Sequence, residues 1–112
     1  MNNELKWRSA DEAVKLIKSG DHIYIQGSTS IPETLVAAMT RRGHELRGVV
    51  LYSGFSVSER EAPYCKPEYK DSFLVDTCFV SNNVRKWINE GYGATTPRFL
   101  GEVPGLFRDG TW

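Results

Sequence analysis

Two cysteines in 112 residues are too few for a disulfide framework. Cys65 and Cys78 are therefore expected as reduced thiols of a cytoplasmic protein. Neither charge is in excess, since fourteen basic residues balance fourteen acidic ones; a nucleic-acid binder would show a basic surplus or stripe. No apolar run approaches bilayer-spanning length, and Met1 to Lys6 lacks the apolar core of a signal peptide. Nucleic acid and membrane are accordingly not expected as partners. A phosphate loop closed by Gly-Lys-Ser or Gly-Lys-Thr is missing, and the single Gly-x-Gly, Gly91-Tyr92-Gly93, has no third glycine after it. His22, His44, Cys65 and Cys78 do not have the spacing of metal ligands. No internal repeat or low-complexity tract is present, and no hairpin dipeptide separates any two strand-like runs.

What remains is a chain with 40% hydrophobic residues, enough to build a modest core. Its organising stretch runs from Gly20 to Met39. His22-Ile23-Tyr24-Ile25 is a β-branched and aromatic run of strand length, followed by the small-residue loop Gly27-Ser28-Thr29-Ser30. Ser30 and Glu33 have capping-box spacing, Pro32 suits a first helical turn, and Leu35, Val36 and Met39 form an apolar face. A helix opening straight after a strand presents free N–H groups, which makes that corner the expected place for an anion. In open α/β sheets ligands bind beyond the carboxyl ends of strands.

Taken in order, Ser9 and Glu12 predict a capping box, with Ala10, Ala13, Val14 and Ile17 on one helical face and Gly20 as the closing cap. Arg41 and Arg42 complement the dipole at the end of the second helix. Gly48 to Tyr52 reads as a strand buried on both faces, and Ser53 to Ser56 as a second small-residue corner. The charges and prolines from Val57 to Tyr69 predict a surface excursion. Phe73 to Val80 is a third strand, with Cys78 a buried small hydrophobe. Ser81-Asn82-Asn83 offers caps for a helix carrying Val84, Trp87 and Ile88, which Gly91 ends. Ala94 to Thr96 is a short fourth strand, and Pro104 divides any helix between Phe99 and Phe107 into short pieces. Trp112 after the Asp109-Gly110 turn reads as the start of another strand, as if the chain stopped within a domain. Alternating helices and strands predict an α/β fold with an open, mainly parallel sheet.

Catalysis is hard to assemble from these residues. Ser28, Thr29 and Ser30 are candidate hydroxyls, but His22 lies at the far end of its strand and His44 beyond the next helix. Glu59, Glu61 and Glu68 stand in a solvated stretch. Arg85 and Lys86 suit an anion or a solvated helix face, and Tyr64 and Tyr69 suit a nucleotide clamp or, more simply, the lining of a loop.

The segments ADEAVKLIKSGDHIYI, PETLVAAM, KPEYKDSF and FVSNNVRKWINEGYGATTPRFLGEVPGLF, in this order from Ser9 to Phe107, resemble the acetyl-CoA hydrolase/transferase family. The pattern is most similar to its 4-hydroxybutyrate CoA-transferases. The resemblance implies two related open α/β domains, of which residues 1–112 would be part of the first. It also implies transfer of coenzyme A between an acyl-CoA and a carboxylate, with no covalently bound cofactor. In the family a glutamate attacks the thioester, dividing one hard exchange into easier steps. That glutamate belongs to the second domain, and none of the glutamates here matches its motif. By the same resemblance Gly27, Ser28, Thr29, Ser30, Ile31 and Pro32 form the loop facing the cleft, where small side chains leave room for the acyl group. Backbone donors near Gly27 would stabilise an oxyanion. Ser81, Arg85, Glu90, Gly91 and Pro97 match a second segment near the cleft. Two other readings stay open: a stand-alone phosphate- or nucleotide-binding module, and an incomplete domain whose exposed sheet edge drives formation of a homo-oligomer.

Overall fold

The computed structural model describes residues 6–112. Met1 to Leu5, which carry most of the stretch read as lacking a signal-peptide core, lie outside the described residues. The element order is α1 (Ala10–Ala13, continued by a 3-10 turn Val14–Leu16), β1 (His22–Ile25), α2 (Glu33–Arg41), β2 (Val49–Ser53), β3 (Phe73–Thr77), α3 (Asn82–Asn89), β4 (Gly93–Thr95) and α4 (Val103–Arg108). The four strands form one sheet in the order β1-β2-β3-β4, and every pair is parallel. No helix among the described residues is long and apolar enough to cross a membrane.

Strand alternation assigns the two faces. Ile25, Val49, Leu51, Phe73 and Val75 join Val14, Val36, Met39, Val84 and Trp87 in one buried cluster, so α1, α2 and α3 share a face of the sheet. The opposite face is covered over β1 and β2 by aromatic rings. Trp112 stacks on Tyr52 at 4.7 Å and on Tyr24 at 5.6 Å, and Phe107 meets Tyr24 edge-on at 5.4 Å. Trp112 is thus a packing residue on this face of the sheet. Its N–H bonds the Leu106 carbonyl at 3.1 Å, which folds the chain end back on α4.

Several expected boundaries move, each for a local reason. The Ser9–Glu12 capping box forms, but α-helix gives way after Ala13 and Ile17 is already extended. The Arg42 guanidinium donates to the carbonyls of Val14 and, at 2.9 Å, Ile17. It satisfies the end of α1 from outside, so Gly20 (φ 84°) belongs to a later turn and is no helix cap. Arg41 bonds Asp11 at 2.6 Å. Both arginines thus tie α2 to α1, a role the dipole reading misses. Ser30 does not cap α2: the cap position is Pro32, without a side-chain bond. Strand β3 stops at Thr77, short of Val80. Pro104 sits inside the first turn of α4 and is tolerated there, since that N–H would have no partner in any case.

The stretch from Val57 to Tyr69 is only partly a surface excursion. Ala62, Tyr64 and Cys65 belong to the core cluster, and the Ala62 N–H is anchored on the Asn83 carbonyl at 2.8 Å. Tyr69 packs on Phe73 and over Gly43, where a Cβ would stand 2.5 Å from its ring. The charges between these residues hide a buried strip. Burial pushes the Cys65 thiol up to about 12 and raises the Tyr64 hydroxyl as well, so both stay neutral.

Adjacent residues of β3 test this assignment of faces. Phe73 is fully buried and Leu74 is 45% exposed on the other side. Phe73→Ala is expected to cost about 3–5 kcal/mol and Leu74→Ala less than about 1 kcal/mol, measured as shifts in the urea midpoint.

Candidate functional site

The carboxyl ends of all four parallel strands point the same way, and the loops leaving them converge. β1 leads to Gln26–Ser30, β2 to Gly54–Ser56, β3 to Cys78–Ser81 and β4 to Thr96–Arg98. Hydrogen bonds join these loops beyond the ends of the strands. The Ser28 N–H bonds the Phe55 carbonyl at 2.5 Å, and the Val57 N–H bonds the Ser28 carbonyl at 3.3 Å, so Ser28 and Ser56 form a parallel bridge beyond the sheet. The Ser56 N–H reaches Ser81 Oγ at 3.3 Å, and Ser81 Oγ donates to Asn83 Oδ1 at 2.8 Å. Thr77 Oγ1 lies 2.9 Å from the Gly54 carbonyl and 2.7 Å from that of Phe79, holding the second and third loops together. The Thr96 N–H bonds the Thr77 carbonyl at 3.0 Å and brings in the fourth.

Gly27 is required by this arrangement. A Cβ there would lie 2.3 Å from the Phe55 carbonyl oxygen and 3.2 Å from its carbon. The glycine is therefore a point of backbone contact, rather than simply free space for a ligand. Its neighbour Ser28 adopts the left-handed conformation, φ 55°, at a cost on the order of 1 kcal/mol for a residue with a Cβ. The bonds to Phe55 and Val57 hold it there. Such local strain, over-determined by its surroundings, is characteristic of functional loops.

A cavity of about 430 Å³ opens where the loops meet, lined by Gly27, Ser28, Ser30, Gly54, Phe55, Cys78, Phe79 and Arg98. It has the size and mixed character of a small-molecule site: aromatic walls, a few hydroxyls and one cation. The candidate loop divides between this cavity and an adjoining hollow, which takes Thr29, Ile31 and Pro32 along with Ser28. Arg85 stands elsewhere. It is exposed, donates to the Val80 carbonyl at 3.2 Å, and shares a shallow surface with Glu59, Lys86 and Glu90. The guanidinium beside Gly27 belongs to Arg98, which the sequence reading passed over. Its position directly after the fourth strand was the available signal, because the ends of the first two strands were read as candidate corners.

Two expectations for this corner change. The Ser28 N–H is committed to Phe55 and the Ser30 N–H to the Gly27 carbonyl at 3.2 Å, so neither amide is a free oxyanion donor. The opening of α2 is also a poor anion site. Pro32 has no N–H, the Glu33 N–H bonds the Ile31 carbonyl at 2.8 Å, and the Glu33 side chain places a negative charge in the first turn.

No nucleophile is activated at this place. Burial, then the nearby Asp76, push the Cys78 thiol up, against the opposing influence of Arg98. His22 bonds the Tyr52 hydroxyl at 3.1 Å, at the amino end of β1, and His44 is exposed on the turn after α2. Tyr64 is buried and Tyr69 packs on Phe73, so the two form no clamp. Among the described residues no three His, Cys, Asp or Glu side chains are placed to hold a metal ion.

The sequence pattern of the acetyl-CoA hydrolase/transferase N-terminal domain family matches residues 2–112. A butyryl-CoA:acetate CoA-transferase of Anaerostipes caccae is 29% identical over 109 residues, covering 93% of this chain and 23% of that protein. A succinyl-CoA:cyclohexane-1-carboxylate CoA transferase of Geobacter metallireducens is 32% identical over 103 residues, covering 88% and 22%. The chain thus spans less than a quarter of the length of these relatives. The crystal structure of RipA from Yersinia pestis shares the fold, with a TM-score of 0.76 and 19% identity over 88% of this chain and 25% of that one.

The contact at Gly27 predicts an unusually costly methyl group. Gly27→Ala is expected to destabilise the chain by about 1–3 kcal/mol through overpacking. Thermal unfolding should register this as a fall of several degrees, and an unchanged melting temperature would refute the contact.

Proposed function

Because this chain belongs to the acetyl-CoA hydrolase/transferase family, we propose that it forms one wall of a cleft in which coenzyme A passes between an acyl-CoA and a carboxylate. The observation that carries this reading is the convergence of four parallel strand ends on one small-residue cavity beside Gly27. In such a cleft this chain's contribution is to position and to exclude water. The rigid Gly27–Ser30 loop limits where the acyl group can lie, and the Phe55 and Phe79 rings keep the thioester dry. The reacting glutamate is supplied by a part of the enzyme outside these residues. Its carboxylate displaces the CoA thiolate to give an acyl-glutamyl anhydride. The thiolate then attacks the glutamyl carbonyl and releases the first acid, leaving glutamyl-CoA, and the acceptor carboxylate repeats the two steps in reverse.

The finer reading is a 4-hydroxybutyrate/acetate type of transferase, cytoplasmic and homo-oligomeric, with residues 1–112 as part of its N-terminal domain and inactive alone. The alternative of a stand-alone nucleotide module is weakened by the acidic opening of α2. Full-length protein incubated with butyryl-CoA or 4-hydroxybutyryl-CoA and labelled acetate should form labelled acetyl-CoA in step with the acid released. Accumulation of free CoA would indicate hydrolysis instead. Tight binding of adenine nucleotides by residues 1–112, with no transfer by the full-length protein, would favour the module.

A further inference from the structure

Thr77 is fully buried, and its one hydroxyl meets three partners. Ser53 Oγ donates to Thr77 Oγ1 at 3.3 Å, while the Thr77 hydrogen faces two acceptors, the Gly54 carbonyl at 2.9 Å and the Phe79 carbonyl at 2.7 Å. These carbonyls adjoin two rings of the cavity wall, one just before Phe55 and the other on Phe79 itself. The rings meet edge to face with centroids 6.4 Å apart. Phe55 is 51% exposed and Phe79 55%, so burial secures neither firmly, and a single ring pair is a weak tie between two loops. The Phe79 carbonyl has a second donor in the Ser81 N–H at 3.1 Å. Thr77 is the one donor to the Gly54 carbonyl among the described residues. Two other bonds between these loops, Cys78 N–H to the Ser53 carbonyl and Ser56 N–H to Ser81 Oγ, flank the rings in sequence. Between them only the Thr77 hydroxyl spans the gap, among the described residues.

We infer that Thr77 is a positioning residue that keeps this aromatic wall shut against water, and so sets the partition between transfer of coenzyme A and its loss by hydrolysis. This rests on the CoA-transfer reading and deepens it. While glutamyl-CoA waits for an acceptor, water can attack the same carbonyl. The C–S bond then breaks, and one proton of that water goes to the departing thiolate and the other to solvent. Free CoA leaves and the glutamate carboxylate is restored. Transfer requires that water be kept out until an acceptor carboxylate arrives. Buried as it is, Thr77 acts through the loops of Phe55 and Phe79 and takes no part in bond breaking.

The test compares full-length enzyme with its Thr77→Val and Thr77→Ser variants, using butyryl-CoA and labelled acetate. Labelled acetyl-CoA measures transfer and free CoA measures hydrolysis. Valine keeps the shape and removes the hydroxyl, whereas serine keeps the hydroxyl. Loss of one hydrogen bond should raise the ratio of free CoA to acetyl-CoA about 10-fold in Thr77→Val, with Thr77→Ser close to wild type. A role in stability alone would lower both products equally and overturn the inference. So would an unaltered ratio, or a wild type that releases free CoA at least as fast as it transfers. Should Thr77→Val fail to fold, Thr77→Cys takes its place, because a thiol is a weak donor; its ratio should also rise, and no rise overturns the inference. If the wild type forms neither product, the transferase reading itself fails, and hydrogen exchange without substrate decides the role of Thr77. Faster exchange at residues 54–56 and 79–81 in Thr77→Val supports the shut wall; unaltered exchange contradicts it.

Discussion

The bond from the Ser28 N–H to the Phe55 carbonyl, made possible because Gly27 has no Cβ, is the contact on which the site depends. It continues the β1–β2 pairing past the end of the sheet, where two loops would otherwise splay apart. Ser56, fixed by the bridge to Ser28, reaches Ser81 and the start of α3. Thr77 binds the Gly54 loop to the loop after β3. One close backbone approach thus propagates through hydroxyl bonds to all four strand ends. A larger residue at position 27 would push apart the loops after β1 and β2, because this contact is where they meet.

Electrostatics then decides which part of the corner suits an anion. The amino end of α2 looks inviting by helix geometry alone, yet Pro32 and Glu33 remove a donor and add a negative charge. Across the cavity, Arg98 brings a guanidinium whose Nε has no partner. Charge is thereby arranged with the acid on the helix and the cation after β4. The dipole of a nine-residue helix is a weak, screened influence beside a full charge in a partly dry hollow.

Much of this was legible in the residues. The β1 run His22–Ile25, the cap Ser9–Glu12 and the parallel α/β order follow from periodicity and turn chemistry. So does the choice of the corner after β1, since small residues between a strand and a helix are a local signal. Long-range partners were not legible. Arg42 ending α1, Tyr69 filling the space over Gly43 and Trp112 stacking on Tyr52 each join residues 25 or more positions apart, which no local pattern encodes. The strip Ala62, Tyr64 and Cys65 was hidden because its charged neighbours dominate any window average. Arg98 was missed for a related reason: a single cation beside a proline is ordinary until the fold places it in a cavity.

The most direct measurement is hydrogen–deuterium exchange on the full-length protein with and without saturating acyl-CoA. Bound substrate should slow exchange in the loops after β1, β2 and β3, at residues 27–30, 54–56 and 78–81, while the exposed face of α3 around Arg85 is unaffected. Protection confined to α3, or none at the strand ends, would contradict the account of where the substrate lies.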